Sequence, residues 1–158
     1  MKKLLLSVCF LGCLACQPKE EVFTDLAARA AGQYQIQAYV LNGDTLYTSK
    51  GVNKIGVSEF YIVLSRIKPD SVRLATVYRK QGEIARINLL KTVGVREING
   101  TFQLSTNTAT SSGYEGRIQG ASLYERTLGG GAVVVPTPYT WRKANDPALD
   151  GIIISAQK

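Results

Sequence analysis

Most protein chemistry rests on thiols, imidazoles and carboxylates, and this chain is sparing with all three. Its three cysteines, Cys9, Cys13 and Cys16, lie within the first sixteen residues, and it has no histidine. Beyond residue 16 there is thus no thiolate nucleophile, no disulfide and no cysteine metal ligand. The commonest general base and every Ser-His or Cys-His arrangement are missing as well. Two-carboxylate catalysis needs a close pair of acids. The acids here are sparse, and Asp44, Asp70, Glu83, Asp146 and Asp150 fall near turn signals. Gly129-Gly130-Gly131 is followed by no Lys-Ser/Thr and so makes no phosphate loop. The expectation is a protein with no enzymatic activity, no metal and no cofactor.

The chemistry that remains is at the thiols themselves. Met1-Lys2-Lys3 is a basic start, and residues 4–14 are an apolar run too short to span a bilayer as a mature helix. It ends in Cys13-Leu14-Ala15-Cys16, and the chain turns polar at Gln17-Pro18-Lys19-Glu20-Glu21. This resembles a bacterial lipoprotein signal, in which a small residue precedes a cysteine that becomes the acylated N-terminus. Ala15 and the polarity change favour Cys16 as the lipidation site. Cys13, preceded by Gly12, is the rival. The resemblance implies residues 1–15 as signal peptide, 16–23 as tether, a lipid link such as palmitate to the membrane, and a cell-envelope location at the outer membrane. Lys19-Glu20-Glu21 also resembles the surface-export signal of one Gram-negative lineage. Asp44-Thr45-Leu46 and Asp70-Ser71-Val72 resemble that lineage's O-glycosylation sequon, although turn chemistry explains them as well. Asn99-Gly100-Thr101 fits the N-glycosylation pattern, where a turn role suffices.

Removal of residues 1–15 from the 158 leaves 143, enough for one domain, 24–158, on a tether. With Lys2 and Lys3 gone, the side-chain charge falls from +7 to about +5. The basic residues are scattered singly rather than clustered, which argues against nucleic-acid binding.

The elements that must position any site are short and β-rich. Thr24 is the expected cap of a helix over 25–31, with Gly32 as its stop. From Gln33 on, apolar and polar residues alternate in runs divided by turn signals. Tyr34, Ile36, Ala38 and Val40 alternate with glutamines. Further strands are expected at 45–48, 60–67, 71–79, 83–90, 93–98, 101–105, 114–119, 122–128, 139–143 and 151–156. Asn99-Gly100 is the strongest hairpin signal. These eleven runs, read as about eight to ten strands with hairpin-length connections, predict an all-β, antiparallel up-and-down β-barrel preceded by a short helix.

Here the chain resembles the lipocalin-like, calycin-type domains of bacterial lipoproteins. Gly32-Gln33-Tyr34 is similar to the Gly-x-Trp that opens the lipocalin first strand, with Tyr34 in place of Trp. The last strand, 151–156, ends close enough to the C-terminus to close the barrel beside the first. The resemblance implies an apolar interior able to hold a small hydrophobic ligand. The candidate interior or ligand-contact residues are Tyr34, Phe60, Ile62, Leu64, Leu74, Tyr78, Phe102, Tyr124 and Trp141. The alternative is that they are plain core in a filled barrel. The longest irregular stretches, 106–113 and 129–138, have two strands between them and are expected at opposite ends. Residues 129–138, with three glycines and an apolar run, are the candidate lid.

Overall fold

The computed structural model describes residues 24–106, 114–127 and 151–158. The expectations for Cys16, for Trp141 and its strand, and for the 129–138 lid lie outside them.

Five good helix formers make α1, Leu26–Ala30, and Asp25 rather than Thr24 caps it. The Asp25 carboxylate accepts from the Ala28 N–H at 2.9 Å. It is also positioned by Arg66, whose guanidinium holds the Asp25 carboxyl below its ordinary range.

Nine strands follow. They are β1 (Gly32–Leu41), β2 (Asp44–Thr48), β3 (Val57–Lys68), β4 (Ser71–Lys80), β5 (Ile87–Ile98), β6 (Thr101–Ser105), β7 (Tyr114–Gln119), β8 (Ser122–Thr127) and β9 (Ile152–Gln157). All pairings are antiparallel, and sequence neighbours pair from β3 to β9. β9 then pairs back onto β1, Ile36 facing Ala156 and Leu41 facing Ile152. Eight strands therefore close into the expected barrel, with β2 as an extra strand on β1. Closure removes the free edges that an open sheet would expose.

Three sequence expectations are corrected. The alternation of β1 does not run through. The register shift between Ile36 and Ala38 leaves Gln37 unpaired and turns Tyr39 inward in place of Ala38 and Val40, while the shift between Tyr39 and Val40 leaves Leu46 of β2 unpaired. A bulge inserts one unpaired residue and reverses every side chain after it. The two strands expected at 83–90 and 93–98 are one strand, β5, running unbroken through Lys91 and Thr92. Finally, the chain passes from β6 to β7 and from β8 to β9 at one end of the barrel, where opposite ends were expected. Two strands carry the chain away and back again. Tyr114 faces Thr127, and Thr127 faces Ile152, so the start of β7, the end of β8 and the start of β9 stand together.

The barrel consequently has unlike ends. The turns at Pro69-Asp70, Asn99-Gly100 and Gly120-Ala121 share one end with α1 and Lys158. The long connections leave from the other. The helix seals its end: Ala27 and Ala30 are fully buried, and the Tyr34 hydroxyl donates to the Ala30 carbonyl at 2.8 Å. At the long-loop end, Phe60 packs edge-on against Tyr39 at 5.5 Å and Tyr47 at 5.3 Å, tying β2 to the wall.

Asn99 and Gly100 both take positive φ, 50° and 75°, as a type I′ turn demands. Gly100→Val should lower unfolding stability by about 1 kcal/mol or more, because a β-branched residue resists that backbone. Denaturant melts of the two proteins check this, and equal midpoints would contradict it.

Candidate functional site

The interior is built from inward faces of successive strands: Tyr34 and Ile36 on β1, Phe60, Ile62 and Leu64 on β3, Val72, Leu74 and Tyr78 on β4. Val93, Val95, Leu104, Ile118 and Leu123 continue it, and Ile152, Ile154 and Ala156 of β9 close it against β1. Tyr34, Phe60, Ile62, Leu64, Leu74 and Tyr78 thus lie in one buried cluster. Phe102 is half-buried at the helix-end rim, where the Arg29 guanidinium sits 5.0 Å over its ring. Tyr124 is the exception. Its neighbours Leu123 and Glu125 are the buried residues of β8, so Tyr124 points outward, beneath Arg117 at 4.7 Å. An aromatic ring in a barrel strand need not face in: Arg117 on β7 is its direct partner and covers it outside.

The residue that takes the inward place is Glu125, 2% exposed and the single buried charged side chain among the described residues. Its Oε1 has two donors. The Tyr114 hydroxyl donates to it at 2.6 Å, and the Lys91 ammonium stands at 2.9 Å. Its Oε2 is buried with no hydrogen-bond partner among the described residues. Lys91 also lies 3.9 Å over the Tyr114 ring. Since β5 and β8 are not neighbours in the sheet, the Lys91–Glu125 pair crosses the interior. It does so in the long-loop half, two residues from the end of β8 and at the very start of β7.

Local sequence makes room for this. Gly116 faces Glu125 across the β7–β8 ladder. A Cβ there would stand 2.7 Å from the Tyr114 hydroxyl and 2.9 Å from Leu104 Cβ. The missing side chain lets Tyr114, two residues earlier on the same face, lean across to the carboxylate. Burial, and then the Glu125 charge beside it, push the Tyr114 hydroxyl well above the ordinary tyrosine range. Lys91 gives the cluster its wet side. Its side chain is 34% exposed against 3% for Glu125, so the cluster runs from solvent inward.

What such a cluster can do is recognise. A desolvated carboxylate with one open oxygen accepts a hydrogen bond from an amine, hydroxyl or amide. Left alone it is costly, about 1–3 kcal/mol for a buried unpaired acceptor and more for a charged one. Among the described residues no group of three or more His, Cys, Asp or Glu is placed to hold a metal. Nor, among them, is any helix long and apolar enough to cross a membrane.

A signal for these residues does exist in the sequence. Ile87, Leu89, Val93 and Val95 keep one parity along β5, and Lys91 falls on it. On β8, Leu123 and Glu125 share the inward parity. A charge in step with an apolar face is the mark that was missed. Comparison with known proteins adds no relative: no family model, curated protein or solved structure matches the chain.

Two outcomes follow. Gly116→Ala should cost about 1–3 kcal/mol through overpacking and should let Tyr114 ionise at lower pH. Denaturant melts and the ultraviolet tyrosinate signal read both, and a wild-type titration in the variant would refute the contact. Burial pushes Tyr39 from 10.0 up to about 12. The unfolded chain ionises at the ordinary value, so the stability from a protonated Tyr39 is whole below pH 10 and is lost as the pH rises towards 12. Unfolding free energy measured against pH should fall across that window, and a flat profile would be inconsistent with it.

Proposed function

We propose that this chain is a non-enzymatic, lipid-anchored protein of the bacterial outer membrane whose barrel receives a small, mainly apolar ligand through its long-loop end. The ligand's polar group is a hydrogen-bond donor, received by Glu125. The observation that carries this reading is the lopsided coordination of Glu125 among the described residues, with both donors on Oε1 and none on Oε2. A barrel that had only to fold would be at least as stable with a hydrocarbon there, because buried ion pairs seldom repay their desolvation. The apolar walls around the cluster suit a hydrocarbon body, and the resemblance to lipocalin-like lipoproteins supports a carrier. The signal-like residues 1–16 support the anchor and the envelope location.

A second reading, a partner-binding surface lipoprotein with a filled barrel, is favoured by the helix-end half. Tyr34, Ile62, Leu64, Val72, Leu74 and Val93 pack there with almost no exposure. The two readings divide on the long-loop half alone.

The test is native mass spectrometry of protein purified from its own host, wild type and Glu125→Leu, with thermal melts of each. The expected result is a retained small molecule in the wild type and its loss from a variant that still folds with equal or greater stability. A wild type without added mass that takes up neither dodecylamine nor dodecanol would overturn the carrier and leave the filled barrel.

A further inference from the structure

The outer wall of the barrel carries a second feature that the carrier reading does not use. Across β4, β5 and β6, Ser71 faces Gly94 and Gly94 faces Ser105. All three point away from the core, since Val72, Val93, Val95 and Leu104 are the buried residues around them. Three small residues in one row leave a trough of about 650 Å3. Arg73 and Thr92 form its wall on the long-loop side. Lys68, Asp70 and Arg96 form the wall on the helix side, with Ile67 beside them.

Two properties mark this trough as more than a gap between side chains. The first is Gly94. Its φ is not positive, and a Cβ there would meet Ser105 Oγ at an ordinary 3.5 Å. Neither backbone nor packing demands glycine, and glycine weakens a strand interior. What it does is keep the floor open. The second is charge. Other cations of the helix end are already engaged, Arg29 with Glu97, Arg66 with Asp25 and Lys158 with the Ala31 carbonyl. Lys68, Arg73 and Arg96 have no ion-pair partner among the described residues, and Asp70 is the one acid on the trough wall. Two walls of cations over a floor of hydroxyls suit a phosphate ester. The lining holds no aromatic ring on which a nucleobase would stack.

The chain's own connectivity says which phosphate. α1 begins against the trough wall: the Ala27 N–H donates to the Pro69 carbonyl at 3.1 Å, in the turn between Lys68 and Asp70. From Thr24 back to Cys16 is eight residues, a reach of at most about 28 Å. We propose that the trough docks the anionic phosphate headgroups of the membrane to which the chain is tethered. The proposal rests on the lipid-anchor reading of Cys16. A lipid at Cys16 would keep the trough at the bilayer surface, where each unpaired cation strengthens attachment to an anionic leaflet by about five-fold. Ile67, 37% exposed on the trough wall, is an apolar contact for the same interface.

The experiment uses the processed protein carrying Leu90→Cys, an outward position 63% exposed and two residues from Thr92, labelled with a polarity-sensitive fluorophore. Vesicles of phosphatidylcholine alone are compared with vesicles containing about one-third phosphatidylglycerol. The expected result is flotation with both, and an emission shift only with phosphatidylglycerol. Arg73→Glu/Arg96→Glu should reduce the shift at least ten-fold and leave flotation intact. Gly94→Leu, which fills the floor without strain, should reduce it without lowering the melting temperature. Flotation with both vesicles but no phosphatidylglycerol-dependent shift, or a shift indifferent to the arginines, overturns the docking site and leaves the anchor standing. Failure to float with phosphatidylcholine overturns the anchor. Retention by phosphatidylglycerol alone, through Arg73 and Arg96, would then keep the headgroup site, and loss from both vesicles would remove it.

Discussion

Strand β1 has three partners, and the rest of the molecule depends on how it divides itself among them. Its first residues, Gly32 to Gln35, pair with β3. Its later residues, Ala38 to Leu41, pair on that same side with β2. Along its other side β9 runs from Gln35 to Leu41 and closes the barrel. A straight ten-residue strand with unbroken alternation would not satisfy β2 and β9 while also feeding Tyr39 to the core. The bulges resolve the conflict by adding twist where the strand leaves β3. Closure then leaves a chain without cysteines in its described part no free edge at β1 or β9.

Closure also sets where charge sits. In an open sheet, Lys91 on β5 and Glu125 on β8 would be two strands removed from each other. Rolled into a barrel, their inward side chains meet across the interior at 2.9 Å. The helix end cannot host such a pair, because Tyr34 and the alanines of α1 fill it. The polar cluster therefore belongs to the long-loop half, where Lys91 keeps part of itself in water. One end of the barrel is committed to packing, the other to a carboxylate that its neighbours among the described residues satisfy on one oxygen only.

Much of this was legible in the residues. Alternation, Asn-Gly hairpins and a C-terminal strand are local signals, and they led to a closed antiparallel barrel. The misreadings on β5 and β8 share one source, the expectation that a barrel interior is uniformly apolar. Lys91 interrupts the apolar alternation, so the runs 83–90 and 93–98 read as two strands. Lys91 is in fact an inward residue of one strand. Tyr124, an aromatic residue expected inside, points outward, and its charged neighbour Glu125 takes the inward place. Departures from local rules gather where a fold does something other than pack. The bulge at β1 left no such trace, since Ala38, Tyr39 and Val40 are all acceptable inside. The outer trough was illegible for another reason. Arg73 and Arg96 lie far apart in a chain whose basic residues are scattered singly, and only the Ser71–Gly94 register brings them to one groove.

The two features are arranged consistently with each other. The chain enters the barrel at the helix end, beside the trough, and the buried carboxylate lies toward the opposite end. In an up-and-down barrel the two ends are separated by the length of the wall, here strands of ten to twelve residues in β3, β4 and β5. At about 3.3 Å per residue, and with barrel tilt, that wall stands roughly 25–30 Å high. A tether of eight residues has about the same reach. A molecule held by its helix end would therefore lie with the sealed, cationic end near the lipid and the long-loop end turned away from it. On the proposed anchor and headgroup site, tether and trough would be two attachments on one end, and two attachments fix an orientation where one leaves the body free to tumble. In that proposed orientation the Lys91 side of the interior cluster would face the aqueous space, where the proposed ligand would be met.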